Sequence, residues 1–214
     1  MSRLFEELDY RETPIGPISL RRRFHPALKV DVFEIILGDE HLMSNIFTVS
    51  EIALARLGLD RLASLSPGSD EKWDVVVGGS HAAPAPDTTP LSADGRCQIV
   101  RGDFFALAQA ETGFDAAQPG RQFHAILIDI DHTPDWLLDA RSGHFYSEAG
   151  LRQLATHLKP GGIMGLWSDV VPDDAFLQRL SDVFGEAWAE PVSFHNPLQD
   201  NTYTQTIYLA RKPA

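Results

Sequence analysis

Hydrophobic and polar positions along the chain follow two periods. Proline presets φ and glycine relaxes it, so Thr13-Pro14-Ile15-Gly16-Pro17 predicts a turn. Residues 18–22 and 30–37 are rich in apolar and β-branched side chains, with Pro26 between them, and predict two strands. Gly38-Asp39-Glu40 predicts the next turn, which completes a small antiparallel element over 1–48. Ser50 then precedes a helix on which Ile52, Ala55 and Leu59 share one face, with Gly58 near its end. Residues 64–72 are polar and read as a loop. Asp74-Val75-Val76-Val77-Gly78-Gly79 predicts a short strand that runs into two glycines. Residues 80–96 hold Pro84, Pro86 and Pro90 and cannot carry a helix through them, so they read as loop or disorder. Residues 98–103 predict a strand that ends in an acid, 104–109 a helix and 113–122 a loop. Residues 123–129 form the strongest strand, apolar on both faces as a buried parallel strand is. Residues 150–158 predict a helix with Leu151, Leu154 and Leu158 on one face, ended by Lys159-Pro160-Gly161-Gly162. A strand over 163–167, a helix over 173–186 with Phe176, Leu180 and Phe184 inward, and a hairpin of 192–194 with 204–210 around 197–201 complete the chain.

Strands that alternate with helices predict an α/β domain over 49–214 with a mostly parallel sheet. Ligands in such sheets sit at the carboxyl ends of the strands. Those ends carry Gly78-Gly79, Gly102-Asp103, Asp129 and Trp167-Ser168-Asp169. Any one of these acids can also be read as the cap of the following helix, a reading that fits the set less well.

Charge narrows the class. The 214 residues carry 18 basic and 30 acidic side chains, a formal charge of −12. Nucleic acids and anionic membranes need clustered Lys and Arg. The one such cluster, Arg21-Arg22-Arg23, reads as solvated charge at a strand end, so neither partner is expected. The single Cys97 allows no internal disulfide and reads as a small buried thiol. Residues 1–7 have no apolar core, and no apolar run approaches the ~20 residues of a membrane span. A cytoplasmic location is expected. His25, His41, His124, His144, His157 and His195 show no metal-ligand spacing, so no metal is expected. Trp73, Trp136, Trp167 and Trp188 read mostly as core.

In this order the motifs resemble the spermidine synthase-like group of S-adenosylmethionine-dependent transferases with a class I methyltransferase fold. The likeness rests on Thr13-Pro14-Ile15-Gly16, Asp39-Glu40, Ser50-Glu51, Val75-Val76-Val77-Gly78-Gly79 and Gly102-Asp103. It continues through 123–129, Phe145-Tyr146, Leu158-Lys159-Pro160-Gly161-Gly162 and Thr206-Ile207-Tyr208. The resemblance implies a Rossmann-like sheet and S-adenosylmethionine or decarboxylated S-adenosylmethionine as cofactor. It places Gly78, Gly79, Asp103 and Phe104 against that cofactor, with Asp103 on the adenine amino group. It makes Asp129 the catalytic carboxylate near the sulfonium, with Asp131 beside it, and Glu51, His132, Tyr146 and Trp167 the acceptor's surroundings. The acceptor would be a small cation, and the apolar N-terminal strands could pair in a homodimer.

Two departures stand out. Eighteen residues lie between Gly79 and Gln98, whereas the family's second strand with its two crossovers needs roughly 25–30. That strand supplies the acid for the ribose hydroxyls. The loop after 123–129 is Asp129-Ile130-Asp131-His132 rather than an Asp-Ser-Ser-Asp type, which argues against putrescine as acceptor. Two other readings remain open. One is a binding or dimerisation module with a degenerate cofactor loop. The other is a Mg-dependent phosphatase of the haloacid dehalogenase type, suggested by Asp129-x-Asp131-x-Thr133 after an apolar strand.

Overall fold

The computed structural model describes residues 5–65, 72–79, 95–196 and 200–214. They fall into two compact units: 5–48 with 95–99, and the remainder.

The first unit is an antiparallel sheet of β1 (Phe5–Thr13), β2 (Gly16–His25), β3 (Val30–Leu37) and β4 (Glu40–Ser44), in that spatial order. β2 and β3 lie where the alternation puts them. β1 and β4 go beyond the sequence expectation, because most of their side chains are polar or exposed and only the ladder makes them strands. The basic triplet is corrected here. It lies within β2, not at a solvated end. Arg22 stands opposite Glu6 and bonds it at 2.7 Å, while Arg23 bonds Glu34 of β3 at 2.7 Å. Opposite charges on neighbouring strands thus help to set the register.

The second unit opens with α1 (Val49–Leu65) and is built on a five-stranded sheet. Its strands are β5 (Val75–Gly79), β6 (Phe123–Asp129), β7 (Leu158–Ser168), β8 (Glu186–Asn196) and β9 (Asn201–Arg211), in the order β5-β6-β7-β9-β8. β5, β6 and β7 run parallel; β9 and β8 close the sheet antiparallel. The continuous apolar run of β6 is explained by cover on both faces. Ala125 and Leu127 meet Leu54 and Leu62 of α1. Ile126 and Ile128 meet the core that also takes side chains of α3 (Glu148–Thr156) and α4 (Asp174–Phe184), the short α2 (Phe104–Gln109) and the 3-10 helix Ala140–Tyr146. Each such buried aliphatic side chain contributes about 1.5–3 kcal/mol relative to exposure.

Several expectations change. Residues 97–101 form no strand, and Val100 is 51% exposed, because no described strand lies beside them to complete a ladder. β5 is accordingly an edge among the described residues, with Val77 71% exposed. Cys97 is exposed, not buried. Trp136 is 56% exposed, so it is not core. Lys159-Pro160-Gly161-Gly162 does not separate helix from strand. It is a bulge inside β7, where Phe123 faces Leu158 but Ala125 faces Ile163, and Gly161 supplies the φ of 75° that the bulge requires. The hairpin is longer than expected, with β8 and β9 paired from Glu186/Arg211 to Asn196/Asn201. The segment 80–94 and part of the 197–201 turn lie outside the described residues.

Candidate functional site

The parallel part of the sheet ends at one edge with Gly79, Asp129 and Ser168. Gly79 stands directly opposite Asp129 in the β5–β6 register. A Cβ on Gly79 would come within 2.8 Å of the Asp129 carbonyl oxygen, and one on Gly78 within 2.4 Å of the Phe104 ring. Both positions therefore exclude a side chain. Glycine here lets β5 close on β6 and lets Phe104 lie against the backbone.

Asp129 ends a strand that is otherwise fully buried, so its carboxyl emerges from an apolar bed. Burial, and then the neighbouring Glu51 carboxylate, push it up to about 7. Glu51 lies in the first turn of α1 and is itself raised by burial. The structure thus brings Glu51 and Asp129 together from elements far apart in sequence.

Asp131 is 2% exposed, and both its oxygens are engaged. Oδ1 accepts from the Leu138 amide at 2.7 Å, and Oδ2 accepts from the Tyr146 hydroxyl at 2.8 Å. It pins the loop that follows β6 and ties it to the 3-10 helix. Burial raises both groups, Asp131 above the ordinary carboxylate range and Tyr146 above the ordinary phenol range. Tyr146→Phe leaves a buried carboxyl oxygen without its donor. It is expected to cost about 1–3 kcal/mol in chemical denaturation while leaving the midpoint slope unchanged. His132 follows Asp131 and stacks on Trp136 at 4.8 Å. Its carbonyl accepts from the Asp169 amide at 2.7 Å, so the loops after β6 and β7 are joined.

Asp103 is the N-cap of α2 and accepts from the Phe105 and Ala106 amides at 2.9 and 3.2 Å. Its carboxylate is thereby aimed at the start of its own helix. Phe104 stacks on Phe114 at 5.2 Å and packs edge-on to Phe145 at 5.9 Å.

A polar network escaped the sequence reading. Gln205 of β9 accepts from Ser50 Oγ at 2.6 Å and from Trp167 Nε1 at 3.4 Å, and it donates to Asp169 Oδ1 at 2.7 Å. It joins the start of α1, where Glu51 sits, to the end of β7. Ser168 Oγ, fully buried beside it in sequence, has no hydrogen-bond partner among the described residues. The available signal was the pair Gln205-Thr206, polar and buried at the head of the apolar run Ile207–Ala210.

The described residues hold no cluster of three or more metal-ligating side chains. No helix among them is long and apolar enough to cross a membrane.

No protein-family model and no curated protein sequence matches the chain. Solved structures do match. A spermidine synthase in complex with the transition-state analogue AdoDATO superposes with a TM-score of 0.59 at 14% identity, over 96% of this chain and 72% of that one. Spermidine synthase from Thermotoga maritima gives the same values. A probable spermidine synthase from Corynebacterium glutamicum gives 0.57 at 12% identity, over 95% of this chain and 79% of that one. The fold of this chain is spermidine synthase-like, as the order of its motifs predicts.

Proposed function

We propose that this chain is a transferase that moves an aminopropyl or methyl group from S-adenosylmethionine or its decarboxylated form to a small cationic amine. The observation that carries the reading is Asp129 at the carboxyl end of β6, directly opposite Gly79 and with Glu51 as its charged neighbour.

The residues present fit the sulfonium end of such a donor. Two carboxyl groups suit a sulfonium and an ammonium in one mouth. Among the described residues the sheet extends no further than β5, so no strand-end acid for the ribose hydroxyls stands among them. When bound, the donor supplies an electrophilic carbon: the acceptor's lone pair forms the new bond to it, and the thioether leaves with the carbon–sulfur electron pair. Asp129 attracts the acceptor as its ammonium form, takes one proton and so frees that lone pair. Trp167 and the stacked His132–Trp136 pair offer apolar walls to the acceptor's carbon chain. Asp131 and Tyr146 hold the loop that carries His132.

Calorimetry with S-adenosylmethionine, its decarboxylated form and methylthioadenosine tests the donor. Micromolar binding of at least one is expected, and mass spectrometry of amine mixtures should then show a gain of one methyl or one aminopropyl group. Silence from all three ligands overturns the reading and leaves a binding or dimerisation module.

A further inference from the structure

Resting on the reading of Asp129 as the group that receives the reacting amine, we propose that Asp169 is a specificity-determining residue whose carboxylate takes a second ammonium group at the far end of the acceptor. Other acids near the strand ends already have partners. Asp131 is 2% exposed, and both its oxygens are engaged inside the protein. Asp103 caps α2, Asp173 caps α4, and Asp139 pairs with Arg141. Asp169 is held differently. Its amide donates to the His132 carbonyl at 2.7 Å, and its Oδ1 accepts from Gln205 Nε2 at 2.7 Å. Gln205 is itself buried and tied to Ser50 and Trp167. Neutral groups alone therefore fix this half-buried carboxylate. Among the described residues no cation pairs with it, and its Oδ2 has no hydrogen-bond partner. A carboxylate drawn partly out of water is unfavourable without a counter-charge, and a cationic ligand supplies one.

The spacing suits an acceptor with two cationic ends. Ile128 of β6 stands opposite Leu166 of β7. One step further along, Asp129 comes level with Trp167, and Asp169 follows two residues on. Trp167 and Asp169 both reach the Gln205 side chain. Ser50 reaches it too, and Ser50 precedes Glu51, the charged neighbour of Asp129. Asp129 and Asp169 thus belong to the sheet face that α1 covers. At about 3.3 Å per residue and about 4.8 Å between strands, their Cα atoms stand roughly 8 Å apart. Two ammonium groups separated by about three to five carbons can reach both carboxylates at hydrogen-bond distance, with the Trp167 ring between the charges. The loop after β6 spends Asp131 on Leu138 and Tyr146 and leaves this task to the end of β7. Its departure from the Asp-Ser-Ser-Asp type therefore does not by itself exclude a diamine.

Calorimetry of the full chain with putrescine and with butylamine, each with and without methylthioadenosine, tests this by binding alone. Putrescine is expected to bind at least about tenfold more tightly than butylamine. Asp169→Asn keeps the shape and the Gln205 bond and loses only the charge. It should weaken putrescine by about that factor and leave butylamine unchanged, a distinction that a merely structural role would not make. Asp135→Asn, an exposed acid on the loop after β6, should change neither amine. Equal binding of the two amines by the wild type overturns the proposal, as does binding of neither. A preference for putrescine that survives in Asp169→Asn, or is lost in Asp135→Asn, overturns it too. Silence from every S-adenosyl-type donor, with a putrescine preference that Asp169→Asn abolishes, removes the transferase reading and leaves this anchor standing. Transfer to butylamine as fast as to putrescine does the reverse.

Discussion

Asp129→Asn is expected to lower transfer by about 10²–10⁴-fold and, at pH 8, to raise the melting temperature. The two effects share one cause. The carboxyl is set on a buried strand end, where burial and the Glu51 carboxylate favour its protonated form, up to about 7. An unfolded chain releases that proton at about 3.9. Below 3.9 both states are protonated and the residue is neutral to stability. Between 3.9 and 7 the folded state binds a proton that the unfolded state does not, so stability falls as pH rises. Above 7 the whole penalty is present. Asparagine has the same shape and no charge, and it removes a penalty on the order of 1–3 kcal/mol, or roughly 2–10 °C in a chain of this size. A melting temperature measured at pH 4 and pH 8 should show the gain only at the higher value. In the wild type, kcat/KM should rise with pH along a limb at about 7. A variant that transfers normally removes Asp129 from the chemistry. One that loses both transfer and stability shows a structural role instead.

Much of the fold was legible because burial and periodicity coincide in it. Phe123–Asp129 is apolar on both faces since α1 covers one side and α2, α3 and α4 the other, and its bounds follow from composition alone. Residues 98–103 show the opposite case. Ile99 and Val100 have strand-like side chains, but a strand is a property of pairs, and no described neighbour completes the ladder. β1 was missed for the converse reason, since its polar run becomes a strand only through β2. The site divides along the same line. Asp129 at a strand end and the two glycines were visible as local patterns. The Gln205–Ser50 contact joins residues 155 apart in sequence, and no local period announces it. Asp103 follows no strand and caps α2, the alternative that its sequence context also offered, whereas the duty of Asp131 in pinning a loop has no local signal.

Phe145→Ala is expected to have the largest effect on stability, a loss of about 3–5 kcal/mol, or roughly 6–20 °C. Phe145 is 1% exposed, and its ring stands 5.9 Å from Phe104, 5.2 Å from Phe105 and 5.0 Å from Tyr146. Three aromatic rings pack on it, so the site cannot collapse cheaply around the void. The consequence reaches the glycines. Phe104 lies where a Cβ on Gly78 would come within 2.4 Å of it, and Phe145 is part of what keeps it there. Gly78→Ala alone should therefore cost about 1–3 kcal/mol through overpacking. In the Phe145→Ala background Phe104 gains space to retreat, and the same alanine should cost clearly less. Denaturant unfolding of the two single variants and the double variant measures that coupling. Additive losses would show that Gly78 is small for a reason other than the Phe104 ring, and would place the requirement on what approaches the backbone from outside.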